Sequence, residues 1–519
     1  MKHKWLVLIF LLALFLRLYK LDKIPNGFFF DEATISYQAY SIIKTGQDTW
    51  GIFLPAFSFR DYGEYILPLG VYGHIPSIAV SGLNVFPARF SDALVGTLLI
   101  PGVYILGGPV AALLLSFQPL ALGWSRFVFE GNFGTLFFLY GLVTFVYYLR
   151  KRKLLWLSIA LFGLSMESYH IFLVTTPVFV LLLYFLFRQK VRMDKKVIFV
   201  TGIFLIWSAV STYQGAGRAR FNQAATLITS EKLDILNHQI GYCQKSLPTL
   251  ICRLFLNKPL LAMSSYVENY AGHFSPVFLG FDGTFLRRNV LPRSGLLPLA
   301  EVATFFLGIY FLIRRKGEKR KILFAWLLVY PLANSFSGVG EISRIAFAAP
   351  LFSLISAIAI SRVRWFFPLV VLSAMAFLIN YFAVFPTTNA YYANFGYDQI
   401  YRFVRQNQDK FNRVYITRGY AGSVPYISAL FFLPVNPQTF LQRVDRYQDE
   451  REYYLTTRIG NIYYYDDITK LSLKKDDFLV ATPEELVGKT YTLTFTIIDP
   501  TNRTLLIGVR VKDIVDEKI

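Results

Sequence analysis

The sequence predicts a polytopic α-helical membrane protein of about eleven spans with a small extracytoplasmic α/β domain at its C-terminus. Three observations lead there. Of 519 residues, 54% are hydrophobic and 17% aromatic, and the mean hydropathy is +0.43, too apolar for an ordinary soluble chain. The net charge of +20 comes from Lys and Arg gathered in short clusters between apolar runs. That is the pattern of cytoplasmic topology determinants, and it sets nucleic acid aside as a partner. From about residue 387 the composition turns polar, charged and Tyr-rich.

The N-terminus, Met1-Lys2-His3-Lys4 followed by apolar sequence, has the form of a signal peptide. Arg17 and Lys20 follow where a small-residue cleavage site would be needed, so an uncleaved signal-anchor helix over 5–19 is expected. Further apolar runs lie near 89–106, 109–123, 133–149, 154–166, 171–187, 197–213, 297–313, 322–335, 345–360 and 366–385. The run 65–82 is apolar but broken by Pro68, Pro76 and three glycines. If it lies on the outer face without crossing, the basic clusters at 150–153, 188–196, 314–321 and 362–364 all fall in the cytoplasm. If it crosses, all four move outside. Their agreement favours the first arrangement, with the N-terminus inside and the C-terminus outside. Beyond 387, a helix is expected over 397–408. Strands are expected over 414–417, 453–457, 462–465, 478–481, 490–498 and 504–511, the last two joined by the turn sequence Asp499-Pro500-Thr501-Asn502-Arg503.

This topology puts the polar corners on one side: the loop 21–88, the corners 124–132 and 166–170, the loop 215–296 and the corner 333–344. Polar groups kept at a membrane boundary are functional candidates. Foremost is Phe28-Phe29-Phe30-Asp31-Glu32-Ala33, adjacent carboxylates set among aromatics at the start of an amphipathic helix read over 33–44. Partial desolvation there suits a carboxylate to proton transfer. The ordinary alternative is a solvated acidic pair. Arg89, Arg126 and Arg344 are the outer-corner arginines placed to hold an anion, since guanidinium binds phosphate bidentately. Each competes with a plainer role. Arg126 and Glu130 are one helical turn apart and could pair with each other. Asp61, beside Arg60 and near Glu64, could be a solvated loop face. Glu167 and His170 could meet a metal but suit an interface better, and His74 and His273 are weaker still as ligands.

Several motifs together resemble the GT-C membrane glycosyltransferases, in particular the bacterial branch related to protein O-mannosyltransferases and lipid A aminoarabinose transferases. They are F-F-D-E-A (Phe29 to Ala33), Y-I-L-P-L-G-V-Y (Tyr65 to Tyr72), F-P-A-R-F-S-D-A-L-V-G (Phe86 to Gly96), S-R-F-V-F-E-G-N (Ser125 to Asn132), N-Y-A-G-H-F-S-P-V-F-L (Asn269 to Leu279) and E-I-S-R (Glu341 to Arg344). The resemblance covers about 1–385 and implies inverting transfer of a sugar from a polyprenyl-phosphate carrier to a lipid, glycan or protein acceptor at the outer face of a bacterial cytoplasmic membrane. It implies Asp31 as general base and Glu32 as the neighbour that orients it or shares its proton. It brings Arg89, Arg126, Arg344, Asp61, Arg60, Glu130 and His273 forward as substrate and phosphate contacts. No cofactor is expected; a divalent metal is compatible with the chemistry but not called for, because the leaving group is a phosphate monoester. Relatives carry a lysine and two prolines where this chain has Tyr65-Ile66-Leu67-Pro68-Leu69, so here the lysine's phosphate role would fall to Arg60 or Arg89.

A transporter or lipid flippase would place its charges in mid-span, and a glycan-binding envelope protein would not need so many spans. Cys243 and Cys252 are the only cysteines. Their outer loop permits a disulfide, with two free thiols on a helical stretch as the alternative. The topology itself is testable: a cysteine replacing Ser423 should react with a membrane-impermeant reagent added from outside, and labelling only from the cytoplasm would overturn the assignment.

Overall fold

Proline and glycine decide where the apolar runs become separate helices. The computed structural model describes residues 2–63, 65–213, 227–281, 291, 294–340, 342–420, 424–449 and 453–516. Glu64, Glu341 and Ser423, and parts of the 215–296 loop, lie outside the described residues. The first helix, α1, spans Lys2–Leu18. After the outer loop come α5 (Val85–Gly107), α6 (Pro109–Phe117), α7 (Pro119–Trp124), α8 (Gly131–Lys151), α9 (Leu155–Met166), α10 (Ile171–Phe187) and α11 (Lys195–Tyr213). Gly108, with φ of 83°, ends α5, and Gln118-Pro119 splits the predicted span 109–123 into helices of 9 and 6 residues, because a proline has no N–H for the preceding turn.

Among the described residues, five helices are long and apolar enough to cross a membrane: Val85–Gly107, Gly131–Lys151, Lys195–Tyr213, Ile342–Ile360 and Phe366–Thr388. The others are shorter, so the expected eleven crossings are not established by helix length. Ile342–Ile360 is 89% buried and forms the centre of the bundle, whereas Lys195–Tyr213 is 11% buried and turns its apolar surface outward. The ambiguous run 65–82 forms a two-residue strand and two helices, α3 (Pro68–Tyr72) and α4 (Ile75–Ser81). At about 1.5 Å per residue neither reaches across a hydrocarbon core of about 30 Å.

The helix α2, Phe30–Thr45, is the element read as amphipathic over 33–44. It is buried on every face from Glu32 to Ala39. Small and hydroxyl side chains (Ala33, Thr34, Ser36, Ala39, Ser41) let neighbours approach from both sides. On one side lie α3 and α4; on the other lies the C-terminal domain. Within that domain the strands β3 (Val414–Thr417), β6 (Arg458–Ile459), β7 (Ile462–Tyr465), β8 (Phe478–Ala481), β9 (Lys489–Ile498) and β10 (Thr504–Asp516) form one sheet of order β6-β7-β3-β8-β10-β9. The two-stranded sheets β1 (Phe59–Arg60) with β2 (Tyr65–Ile66), and β4 (Arg446–Gln448) with β5 (Tyr454–Thr456), flank the seam with the first loop. The β9–β10 hairpin turns where its residues predicted: the Asp499 carboxylate accepts from the Thr501 and Arg503 N–H groups. The helices Pro425–Phe432 and Pro437–Arg443 were not legible from composition.

The domain is not a tethered appendage. It shares a hydrophobic core with the first outer loop. Phe28 stacks on Phe431 with centroids 4.4 Å apart, and the Tyr37 hydroxyl donates to the Val435 carbonyl at 2.8 Å. Gly27 sits at φ of 90°, and a Cβ there would lie 2.4 Å from the Ala393 carbonyl oxygen. In the second outer loop Cys243 and Cys252 are joined by a disulfide with Cα atoms 5.9 Å apart. Because Gly27 combines a left-handed backbone with that close approach, Gly27→Ala should lower stability by about 1–3 kcal/mol. Thermal unfolding of the purified protein reads this, and an unchanged midpoint would show that the seam yields.

Candidate active site

An acidic pair at the first turn of a buried helix presents one carboxylate outward and one inward. Glu32 is the inward one and is 0% exposed. Its Oε1 accepts from Arg89 Nε at 2.8 Å and from the Val128 N–H at 3.1 Å. Its Oε2 accepts from Arg89 Nη2 at 2.8 Å and from the Phe29 N–H at 3.1 Å. The last of these is half of a capping box, with the carboxylate returning to the N-cap amide. Arg89 is also 0% exposed, and its remaining donors reach the carbonyls of Leu21, Pro25 and Gly27 at 3.2, 3.0 and 2.8 Å. A guanidinium has five N–H donors, and all five are taken. Arg89, expected to hold phosphate, instead ties α5 to the loop 21–27 and to Glu32. Glu32 is thus held away from the surface on which Asp31 lies.

Asp31 is the outward one. It is exposed, and its Oδ1 accepts from the Tyr62 hydroxyl at 2.9 Å. Tyr62 is itself held edge-on between Phe30 and Tyr453, at 5.5 and 5.4 Å, so both the first loop and the C-terminal domain orient the hydroxyl that positions Asp31.

Arg126 is likewise turned inward. Its Nη atoms donate to the carbonyls of Leu16, Arg17, Tyr19, Lys20 and Ile24 at 2.7–3.3 Å, capping the C-terminal end of α1 rather than pairing with Glu130. Glu130 is buried at 8% exposure and packs against Gly70, where an added Cβ would lie 2.4 Å from the Glu130 Cβ. Arg60 lies over the rings of Trp50 and Tyr454, at 4.2 and 4.4 Å, and the two rings meet each other edge-on at 5.2 Å. Arg446 covers Trp50 at 4.1 Å. Asp61, 8% exposed, accepts from the Tyr62 N–H at 2.6 Å and lines a small cleft with Tyr426 and Arg446. Arg60 and Asp61 therefore build the seam with the C-terminal domain. His273 donates from Nδ1 to the Asn269 carbonyl at 2.7 Å and meets Asn334 Nδ2 through Nε2 at 2.8 Å. Burial pushes it down to about 4, so it is neutral and brings no charge to a phosphate.

Arg344 differs from the other arginines. It is half-buried, and its buried Nη1 meets no hydrogen-bond acceptor among the described residues. Direct contacts connect its segment to that of Asp31. His170 Nε2 donates to the Tyr65 carbonyl at 2.7 Å, the Leu69 N–H donates to the Glu167 carbonyl at 3.1 Å, and the Tyr169 hydroxyl reaches Ser343 Oγ at 3.4 Å. The corner 166–170 thus clamps the loop bearing Tyr62 and Tyr65 to the segment bearing Arg344. The interface role preferred for His170 in the sequence is what the structure shows: its ring and the Glu167 carbonyl act as a clamp. His74, set aside as a ligand at the sequence level, pairs with Asp92, which sequence reasoning did not single out. The two meet at 2.7 Å, both side chains are 0% exposed, and Asn132 donates to Asp92 at 2.8 Å. This network fixes α4 and α8 to α5. Among the described residues no three His, Cys, Asp or Glu side chains gather as a metal site.

The fold has counterparts among solved structures. ArnT from Cupriavidus metallidurans, bound to undecaprenyl phosphate, superimposes with a TM-score of 0.54 over 98% of both chains at 13% identity. The chain has the ArnT fold. The apo form of the same ArnT matches equally well, with a TM-score of 0.54 at 11% identity and 98% coverage of both chains. The oligosaccharyltransferase of Archaeoglobus fulgidus in its apo form aligns with 84% of this chain at 16% identity and a TM-score of 0.48. The chain spans 64% of the length of that larger protein. No family model and no curated protein sequence matches. ArnT is matched end to end, so the C-terminal domain belongs to the shared architecture.

Removing the guanidinium would leave the Glu32 carboxylate buried without its counter-charge. Arg89→Ala should therefore cost about 3–5 kcal/mol, seen as lost monodisperse protein in detergent. A variant that folds and unfolds like the parent would show that Glu32 is not held by this pair.

Proposed function

We propose that the chain is a glycosyltransferase that moves a sugar from a polyprenyl-phosphate carrier to an acceptor at the outer face of the cytoplasmic membrane. The observation that supports the reading is an exposed carboxylate at Asp31 in a chain of ArnT fold whose Arg344, on a segment tied to the first loop through the corner 166–170, has a buried Nη1 with no acceptor among the described residues. ArnT binds undecaprenyl phosphate, the kind of ligand an outward arginine at a lipid boundary would suit.

In this mechanism an acceptor hydroxyl or amine attacks the anomeric carbon from the face opposite the phosphate. The new bond forms as the carbon–oxygen bond to phosphate breaks, and the polyprenyl phosphate leaves as a monoester. Asp31 takes the proton released by the acceptor. Arg344 stabilises the charge that grows on the leaving phosphate. Glu32 touches neither substrate; it and Arg89 hold the first turn of α2 so that Asp31 points outward. A phosphate monoester leaves with a single cationic partner more readily than a diphosphate would, so the reading requires no divalent metal. The acceptor, whether lipid, glycan or protein, approaches from the side where Tyr62 meets the C-terminal domain.

The test uses two variants and two readouts. Asp31→Asn should lower transfer about 10²–10⁴-fold while undecaprenyl phosphate still binds, as followed by native mass spectrometry. Arg344→Ala should weaken both, because a phosphate contact is present in the ground state and in the transition state. A lipid-linked sugar that co-purifies with the protein, identified by its mass, would supply the donor for the assay. Full transfer by Asp31→Asn would overturn the mechanism, and unchanged lipid binding by Arg344→Ala would reassign the phosphate contact.

A further inference from the structure

The second outer loop holds a surface that the proposed chemistry does not use. Ser230–Cys243 and Lys258–Gly272 are helices joined by a short helix, Thr249–Phe255, and the Cys243–Cys252 disulfide closes the bend between the first and the short one. The closed bend is apolar and outward. Leu247, Leu250, Ile251, Leu254 and Phe255 are 49%, 82%, 42%, 64% and 67% exposed. Five large apolar side chains within nine residues form a contiguous patch, which soluble surfaces rarely leave open. Around it, residues 241–258 contain Lys245, Arg253 and Lys258 and no Asp or Glu, and all three basic residues are exposed.

We propose that this disulfide-closed bend is an interfacial anchor that sits in the outer leaflet, with its apolar tip among acyl chains and its basic rim among anionic headgroups. Two observations name lipid as the occupant. The first is position. Tyr266 and Tyr270, on Lys258–Gly272, donate to the carbonyls of Leu332 and Leu328 at 3.0 and 2.9 Å. Asn269 donates to the Ser335 carbonyl at 2.9 Å. These carbonyls lie at the end of the apolar helix Glu318–Val329, where Leu328 is 54% exposed. Met263 and Val267, 60% and 59% exposed, carry the apolar surface from that helix end towards the bend. The patch thus continues the outward apolar belt of the bundle. The second is charge: a purely basic rim around an apolar tip is the composition of a segment lying in an anionic interface. The disulfide keeps the bend short and closed, so its apolar side chains point one way.

Photo-crosslinking in native membranes tests this directly. Leu250→p-benzoylphenylalanine and Phe255→p-benzoylphenylalanine should yield adducts carrying the mass of one phospholipid. The same probe at His238, on the polar helix before the bend, should give several-fold fewer. Replacing Lys245, Arg253 and Lys258 with Gln should shift the adducts from anionic towards zwitterionic phospholipid. A dominant adduct to another protein would show that the patch is a protein-docking surface. Equal, low lipid yields at 238, 250 and 255 would show that the bend stands in water. Either result overturns the anchor. Neither readout depends on transfer, so the anchor and the proposed reaction fail separately.

Discussion

The Arg89–Glu32 pair is the constraint on which the outer half of this protein rests. A carboxylate and a guanidinium removed from water cost several kcal/mol each unless their remaining sites are satisfied. Here they are satisfied completely. Four donors converge on Glu32, and five acceptor contacts use every N–H of Arg89. The contacts reach the loop 21–27, the start of α2, the start of α5 and the 128 amide. A single pair therefore sets the position of four chain segments. Asp31 inherits its outward direction from that pair, because adjacent residues on a helix point about 100° apart.

Around this centre the protein uses arginine in three distinct ways. Arg89 neutralises a buried carboxylate, Arg126 satisfies the carbonyls at a helix end, and Arg60 lies over two aromatic rings. Of the arginines brought forward from the sequence, Arg344 keeps a buried Nη1, and Arg126 only its Nε, without an acceptor among the described residues. The C-terminal domain completes the arrangement. Phe431 seals Phe28, Tyr453 seals Tyr62, and the Arg60–Trp50–Arg446 stack locks the loop beneath β4. Its packing places it within reach of whatever approaches Asp31.

The sequence carried the coarse plan well and the side-chain assignments unevenly. That 65–82 would not form one long helix was legible because two prolines break it. Five of the six strands of the main sheet were legible in outline because alternation and turn residues are local signals; β6 was not, and the run 453–457 became β5 of a separate two-stranded sheet. Gln118-Pro119, in contrast, reads as part of a continuous apolar run, yet it ends one helix and begins another. The segment Pro425–Phe432 is apolar throughout and carries no period, so nothing local marks it as helix rather than strand. Arg89 and Arg126 sit at outer span ends as an anion-binding arginine would. Their true partners, the Glu32 carboxylate and backbone carbonyls for Arg89 and carbonyls alone for Arg126, are brought near by tertiary folding, which no spacing reveals. Glu32 and Asp31 are neighbours of the same type, and only the packing of α2 separates a buried strut from an exposed acid.

The capping of α1 by Arg126 also bears on how the chain is assembled. The carbonyls that end the first helix, at Leu16, Arg17, Tyr19 and Lys20, find their donor in a residue more than a hundred positions later. Until that residue has been synthesised and brought to the boundary, the end of α1 must be satisfied by water or headgroups. The end of α1 is thereby completed by an arginine that follows α7 and not by the helix itself.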